Sequence, residues 1–90
     1  MYYVYMLACG DGSLYTGIAA DVEKRLLQHQ SGTGAKYTRS HLPVTLVYQE
    51  QLPDKAAALR REYAIKQLPR VKKLQLVHAY QSGKMPPLST

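Results

Sequence analysis

Cysteine is nearly absent from this 90-residue chain, and Cys9 is the only one. An internal disulfide is therefore impossible, and a zinc site built from several thiolates is excluded. Cys9 itself fits either a nucleophile paired with a histidine or a small buried hydrophobic residue, and the second is favoured because nothing in the sequence locates a partner. This cysteine usage predicts a reduced, cytoplasmic protein.

Long apolar runs are also missing. The apolar start, residues 1–8, is short and shows neither a basic leader nor a cleavage site, and no stretch approaches the roughly 18 apolar residues of a membrane span. We therefore predict a chain that is neither secreted nor inserted into a membrane. Its length fits one domain, which we place at residues 1–82, with residues 83–90 as a flexible tail.

Phenylalanine, tryptophan and asparagine are absent, and acidic residues are few. Six Asp and Glu stand against 12 Lys and Arg, which gives a formal net charge of +6. That excess favours a polyanionic partner, although a merely solvated basic face is the alternative. The cations cluster, and we predict nucleic-acid contacts at Lys36, Arg39, Arg60, Arg61, Lys66, Arg70, Lys72 and Lys73.

Local patterns predict the element order β-β-α-β-α-α. Two apolar runs around a Gly-Asp-Gly turn indicate a β-hairpin, and Asp21 and Asp54 are suited to cap helices. Strands are predicted at residues 2–8, 13–18 and 44–48, the last with room to reach residue 50, and helices at residues 22–30, 55–67 and between Pro69 and Ser82. Residues 35–42 fit a loop or a short helical turn. The prediction is an α+β domain with a small, mostly antiparallel three-stranded sheet flanked by helices.

Apolar spacing also predicts which helix faces are buried. These residues are Val22 and Leu26 in the first helix, Ala56, Leu59 and Tyr63 in the second, and Val71, Leu74 and Val77 in the last. A zinc site finds no support, because the three histidines, His29, His41 and His78, lack paired zinc-ligand spacing. A nucleotide-binding site finds none either, because no glycine-rich loop carries the residues of a phosphate cradle.

Five polar residues remain that can carry chemistry together. Tyr5 and Tyr15 lie on the two hairpin strands, Arg25 and His29 lie one turn apart on one face of the first helix, and Glu62 lies on the second helix. Singly, each has a plainer role, such as packing, a solvated charge or an ion pair between Glu62 and Lys66. If both tyrosines serve one site, they must share a face of the hairpin, so Tyr5 should pair with an odd-numbered residue.

The joint spacing of these residues resembles the GIY-YIG nuclease domain. The resemblance rests on Tyr3-Val4-Tyr5, on Tyr15-Thr16-Gly17 ten residues later, and on the helix with its Arg25-x-x-x-His29 pair. Gly34-Ala35-Lys36-Tyr37-Thr38-Arg39, the strand at residues 44–48 and the run from Ala58 to Lys66 resemble the small single-domain branch, which is related to the nuclease half of structure-specific junction endonucleases. The resemblance spans roughly residues 2–80.

This resemblance implies a metal-dependent endonuclease that hydrolyses DNA phosphodiester bonds. By it, Glu62 holds one Mg²⁺ or Mn²⁺ ion, Tyr5 and Tyr15 flank the attacked phosphate, Arg25 contacts the phosphate and His29 assists proton transfer. A lone carboxylate suits these cations because they keep most of their waters.

A tyrosine needs help to act as a base, because a phenol with a pKa near 10 stays protonated at neutral pH. We expect Arg25, His29, Lys36 and the metal to lower the pKa of such a phenol. A tyrosinate or a metal-bound hydroxide would then generate the nucleophile from water.

The sequence departs from the family pattern in two places. Tyr3 replaces the opening glycine, a modest change if that position packs outward, and the late asparagine of many members is absent, which leaves Gln75, His78, Gln81 or water in its place.

The substrate is expected to be single-stranded or branched DNA rather than plain duplex, with RNA as a further possibility and a monomer as the default state. A chain this small has little surface with which to read several base pairs and open a duplex as well. Tyr37, between Lys36 and Arg39, is the predicted stacking platform for an unpaired base. The alternatives are a catalytically silent nucleic-acid-binding module and a small basic protein that binds another protein or ribosomal RNA.

Overall fold

The computed structural model describes residues 1–83, which form three strands and four helices. The elements are β1 (Tyr2–Cys9), β2 (Leu14–Ala19), α1 (Val22–Gln30), α2 (Lys36–Arg39), β3 (Val44–Leu52), α3 (Lys55–Lys66) and α4 (Arg70–Gln81). The predicted α+β class is confirmed, and α2 is the short helical turn left open for residues 35–42. The predicted tail lies, apart from Gly83, outside the described residues.

The sheet has the order β2-β1-β3, and both pairings are antiparallel. β1 is the central strand, and its nearly continuous apolar sequence suits a strand that is covered on both faces. β3 extends further than predicted because its last residues pair with the start of β1, as Leu52 does with Tyr2. None of the helices within residues 1–83 is long and apolar enough to cross a membrane.

The two faces of the sheet have separate cores. Val4 and Met6 of β1 pack with residues of α3 and α4, among them Ala58 and Ile65. Tyr5, Leu7 and Cys9 point to the opposite face, where they form a cluster with Val22 of α1 and Val44 of β3. The predicted burial of Val22 is confirmed, and Leu26 is partly buried against the same cluster. The second face carries the hairpin tyrosine around which the site is built.

The predicted buried stripe of α3 is wrong. Ala56, Leu59 and Tyr63 are exposed, and Ala58 and Ile65 are buried instead. Both sets have helical spacing, so periodicity alone does not separate them. The helix turns its small Ala58 to the sheet, and the same face carries two partly buried charged residues. Arg61 donates to Glu50 of β3, and Glu62 is paired with Lys66 of the same helix.

The buried charge beneath α3 explains part of this orientation. Glu50 of β3 is 8% exposed, and its carboxylate accepts hydrogen bonds from Arg61 Nε at 2.9 Å and from the Tyr48 hydroxyl. A buried carboxylate needs such partners, so Arg61 must face the sheet.

The predicted stripe of α4 is only partly right. Val77 is buried as predicted, whereas Val71 and Leu74 are exposed. Leu76 and Tyr80 pack against the core in their place, and the Tyr80 ring lies 5.7 Å from that of Tyr48. α4 thus presents the face that meets the β3 tyrosine rather than the face with the most regular apolar spacing.

Candidate active site

Two tyrosines of the β-hairpin lie on the same face of the sheet. Tyr5 pairs with Gly17, and Leu7 pairs with Tyr15, so the odd-numbered partner expected for Tyr5 is observed. The two phenol rings have centroids 6.4 Å apart. Tyr5 is 2% exposed and Tyr15 is partly buried, so one phenol lies inside the site and the other at its edge.

Gly17 leaves the space that the Tyr5 hydroxyl occupies. A Cβ at this position would lie 2.7 Å from Tyr5 Oη and 2.9 Å from Tyr5 Cζ. Any larger residue on β2 would therefore displace the phenol. The glycine of the Tyr15-Thr16-Gly17 run is required by the side chain opposite it on β1.

His29 is fully buried at the end of α1 and contacts the inner phenol. Its Nε2 lies 2.8 Å from Tyr5 Oη, and its Nδ1 lies 2.7 Å from Thr38 Oγ1 on α2. Thr38 is fully buried as well. The sequence-based prediction included the histidine but not the threonine, because residues nine positions apart in two different elements share no local pattern.

The pKa of the Tyr5 phenol is raised to about 12, first by burial and then by the neighbouring Tyr15. Arg25 lowers the pKa of Tyr5 but does not outweigh these effects. The pKa of His29 is itself lowered, by burial first and then by Arg25, so the imidazole is neutral at pH 7. The expectation that surrounding cations lower the phenol's pKa below its usual value is wrong for the protein groups, because desolvation dominates.

The guanidinium and the carboxylate predicted for the site both act on Tyr5. Arg25 faces its hydroxyl closely enough to lower the pKa by hydrogen bonding and by charge, and the Glu62 carboxylate raises it. Arg25 Nη1 donates to Gln28 Oε1 at 2.8 Å. The structure therefore places Arg25, His29 and Glu62 around Tyr5, with Tyr15 beside it.

Glu62 is the acidic residue that fits a divalent cation here. Its side chain is 19% exposed, and Lys66 Nζ lies 3.3 Å from Oε2. Within residues 1–83 no group of three or more His, Cys, Asp or Glu side chains is suited to hold a metal. A single carboxylate open to solvent suits Mg²⁺ or Mn²⁺, which keep several waters, and does not suit zinc. Gln75, His78 and Gln81 are all exposed on α4.

Two clefts that contain lysines adjoin this centre. One, of about 280 Å³, is lined by Tyr15, Tyr37, Lys66 and Lys73 among others. The other, of about 530 Å³, contains Arg25 together with Lys24, Gln28 and Lys55. Tyr15 belongs to the first cleft and Arg25 to the second, and each of these residues neighbours Tyr5. Lys24 and Lys55 were not among the predicted contacts, and no local signal distinguishes them from other surface lysines.

The remaining predicted contacts fall into two groups. Lys36, Arg39, Arg60 and Lys72 are exposed and free to meet a phosphate backbone. Arg61 is paired with buried Glu50, and Arg70 Nη2 donates to the carbonyl of Gly12 at 2.8 Å. The second group has partners within the fold.

Tyr37 is exposed but already stacked. Its ring is 4.1 Å from that of His41 with an angle of 8° between the planes, and 6.0 Å from that of Tyr15. Its hydroxyl donates to Ser13 Oγ at 2.6 Å. The ring thus packs against Tyr15, the outer tyrosine of the candidate site, and His41 covers part of the surface predicted to stack on a base.

The arrangement of two tyrosines, an arginine, a histidine and a glutamate can be compared with known proteins. A family model described as the GIY-YIG catalytic domain matches residues 1–75. The chain belongs to the GIY-YIG family. This is a family of nucleases, and the predicted membership is confirmed.

Relatives of this GIY-YIG chain extend over most of its length. A UPF0213 protein of Staphylococcus saprophyticus is 55% identical over 84% of this chain and 93% of its own length. Another UPF0213 protein, from Natronomonas pharaonis, is 51% identical over 84% of this chain and 89% of its own. The solution structure of a UPF0213 protein from Bacillus halodurans is similar with a TM-score of 0.56 at 52% identity, covering 87% of this chain and 84% of that one.

The GIY-YIG chain departs from the family pattern at Tyr3, the position of the opening glycine. Tyr3 does not point outward, as a modest change would require. It is partly buried on the same face as Tyr5 and packs against the cluster that includes Val22. The extra side chain is accommodated because it extends the apolar contact between β1 and α1.

Proposed function

We propose that this chain is a metal-dependent endonuclease that hydrolyses phosphodiester bonds in single-stranded or branched DNA. The observation that supports this most directly is the buried hydrogen bond between Tyr5 Oη and His29 Nε2, formed beside Arg25 and Glu62. A phenol whose pKa is about 12 does not ionise by itself at pH 7. Next to a neutral imidazole it can act as a relay for a proton.

In the proposed reaction, Tyr5 Oη accepts a proton from a water molecule while it passes its own proton to His29 Nε2. The water oxygen forms a bond to phosphorus, and the bond between phosphorus and the leaving sugar oxygen breaks. The leaving oxygen takes a proton from solvent, and His29 later returns its proton to solvent. The products are one phosphomonoester and one alcohol, which balances the hydrolysis.

Charge on the phosphoryl oxygens grows during this step. Arg25 is placed to donate to them, a contribution of roughly 3–4 kcal/mol when a comparable donor is removed from other enzymes. Glu62 would hold one Mg²⁺ or Mn²⁺ ion, which would add Lewis-acid stabilisation of the same charge. Its partner Lys66 must then release the carboxylate, and it lines the adjoining cleft, where it can turn to a phosphate.

The substrate strand is proposed to cross the centre from one basic cleft to the other. Lys24 and Lys55 contact phosphates on the side of Arg25, and Lys66 and Lys73 contact them on the side of Tyr15. Each cleft is a groove of a few hundred cubic ångströms, and two lysines line each of them. Such contacts suit a backbone without sequence preference.

The test is cleavage of end-labelled single-stranded, duplex and branched DNA with Mg²⁺, with Mn²⁺ and with chelator. Cutting should need the metal, favour single-stranded or branched DNA over blunt duplex, and fall by orders of magnitude in Glu62→Gln with little change in DNA affinity. Glu23→Gln is the matched control, because Glu23 is an exposed carboxylate in the first turn of α1. Wild-type rates in Glu62→Gln, or faster cutting of blunt duplex, would contradict the proposal.

A catalytically silent nucleic-acid-binding module is the second candidate. The ion pair between Lys66 and Glu62 favours it, because a lysine occupies the carboxylate intended for the metal. In that case DNA binds with the same salt dependence, but no strand is cut with either metal. The same cleavage assay therefore separates the two functions.

A further inference from the structure

The His29 ring is held between two hydroxyl groups, one of which has no part in the proposed reaction. Nε2 meets Tyr5 Oη at 2.8 Å, and Nδ1 meets Thr38 Oγ1 at 2.7 Å. Both hydrogen bonds are buried, and the histidine and the threonine are fully inaccessible to solvent. Which nitrogen carries the proton is therefore decided by these two partners rather than by water.

The hydrogen bonds of Thr38 on α2 place the ring hydrogen of His29 on Nδ1. Thr38 Oγ1 has a single hydrogen, and it donates this hydrogen to the carbonyl oxygen of Ala35 at 2.9 Å. A carbonyl oxygen can only accept. Thr38 Oγ1 must then accept from the ring, which puts the imidazole hydrogen on Nδ1 and leaves a lone pair on Nε2.

The hydrogen bond between Tyr5 and His29 Nε2 agrees with a ring hydrogen on Nδ1. The Arg25 guanidinium faces the Tyr5 hydroxyl and carries donors only. The hydrogen of Tyr5 therefore cannot go to Arg25, and the acceptor within hydrogen-bonding distance is His29 Nε2, at 2.8 Å. These hydrogen bonds point one way, from the Tyr5 hydroxyl through the His29 ring and Thr38 to the carbonyl oxygen of Ala35.

The loop that leads into α2 is pressed directly against the imidazole. A Cβ at Gly34 would lie 2.4 Å from His29 Nδ1 and 2.9 Å from its Cα. This close approach of backbone to ring restricts rotation of the imidazole, so the nitrogen facing Thr38 stays the same.

We propose that Thr38 is a positioning residue that holds His29 in the tautomer protonated at Nδ1, so that Nε2 is free to take the proton of Tyr5. Its role in cleavage rests on the proposed nuclease function, whereas the tautomer itself does not. If Nε2 carried the hydrogen, the imidazole would donate to Tyr5 and could not accept its proton. A third protein group, placed away from the phosphate, thereby determines whether the relay works.

The first test is the ¹⁵N chemical shifts of the His29 ring at pH 7.5, which distinguish the two neutral tautomers without any cleavage assay. The wild type and Thr38→Ser should show the hydrogen on Nδ1. Thr38→Val keeps nearly the same shape but lacks the acceptor, so its His29 should shift toward the Nε2-protonated form. A wild-type ring protonated at Nε2 would overturn the proposal, and that result needs no variant to fold.

The second test is the rate on single-stranded DNA. Thr38→Val should lower kcat about 10- to 100-fold with little change in KM, which is the loss seen when the hydrogen-bond partner of a metal-binding histidine is removed. Thr38→Ser should recover most of the rate. Thr33→Val is the control, because it removes a hydroxyl of the loop before α2 that donates to the Gln28 carbonyl and forms no hydrogen bond with His29. An unchanged rate in Thr38→Val, or an equal loss in Thr33→Val, would overturn the proposal. Absence of cutting by the wild type would instead contradict the nuclease function and leave the tautomer result standing.

Discussion

Two glycines leave the space that the tyrosine and the histidine of the candidate site occupy. Gly17 lies under the Tyr5 hydroxyl and Gly34 lies against the His29 ring, each at a distance that leaves no room for a methyl group. Neither glycine has the positive φ that explains Gly12, Gly32 and Gly83. Their role is therefore close approach to a functional side chain rather than an unusual backbone conformation.

Gly17→Ala should lower both stability and cleavage. The added Cβ would displace a phenol held by His29, which costs about 1–3 kcal/mol for overpacking, and a shift of about 1 Å at a reacting group can cost on the order of 100-fold in rate. Urea unfolding and single-turnover cleavage measure the two effects. Gly12→Ala is the control: its φ of +86° makes alanine strained there, yet nothing lies within 4 Å of the new Cβ. It should lose stability and keep its rate.

His29 should make the stability of the fold depend on pH. Its pKa is lowered from the usual 6.5 by burial and by Arg25. Below about pH 6.5 the unfolded chain binds a proton that the folded chain resists, so the free energy of unfolding falls as the pH drops toward the lowered value. The stabilisation from the neutral histidine is fully present above about pH 6.5, the pKa in the unfolded chain. Urea unfolding at pH 7.5 and 5.5 should show a larger loss for the wild type than for His29→Gln, and equal losses would contradict the assignment.

At the scale of an element, α3 connects the two faces of the sheet. Arg61 turns to buried Glu50 of β3, and the next residue, Glu62, reaches the site built around β1 and β2. Adjacent residues of a helix point about 100° apart, so one helix lying beside the sheet can serve both. The helix is thus oriented by its charged residues as much as by its apolar ones.

Substitutions at two adjacent arginines of α3 should separate folding from nucleic-acid binding. Arg61→Ala leaves Glu50 with one hydrogen-bond donor fewer, which should cost about 1–3 kcal/mol of stability. Arg60→Ala removes an exposed cation, so stability should change by less than about 0.5 kcal/mol while affinity for DNA falls. Thermal unfolding and fluorescence anisotropy with a labelled single strand measure the two properties. The reverse pattern would show that Arg61 faces the nucleic acid.

At the scale of the whole molecule, the chain carries a net charge of +6. Lysines line both clefts beside the site, whereas the inner phenol and imidazole carry no charge at pH 7. In the proposed reaction, the outer cations attract a phosphate backbone while the buried phenol and imidazole exchange protons.

Removing lysines from either cleft should weaken DNA binding and its dependence on salt. For single strands, the slope of log affinity against log salt is about −0.7 per neutralised phosphate. The double variant Lys24→Ala, Lys55→Ala should therefore have a slope shallower by about 1.4, and so should Lys66→Ala, Lys73→Ala. A strand that crosses both clefts requires both losses. If only one double variant changes the slope, the proposed path on the other side is wrong.

The sequence by itself determined the order of elements, the helix caps at Asp21 and Asp54, the shared face of Tyr5 and Tyr15, and membership of the family. These properties depend on short-range spacing: two residues per repeat in a strand, a cap before a helix, four residues between side chains on one helix face. A single chain carries that information without knowledge of its neighbours.

Tertiary structure decided the rest. It buried Ala58 and Ile65 rather than the equally regular stripe of α3, brought Thr38 to the histidine, and raised the pKa of Tyr5 where surrounding cations were expected to lower it. Each outcome depends on which distant groups meet and on how much water they lose. Desolvation and hydrogen-bond partners across elements have no counterpart in local sequence, because they exist only once the helices are packed on the sheet.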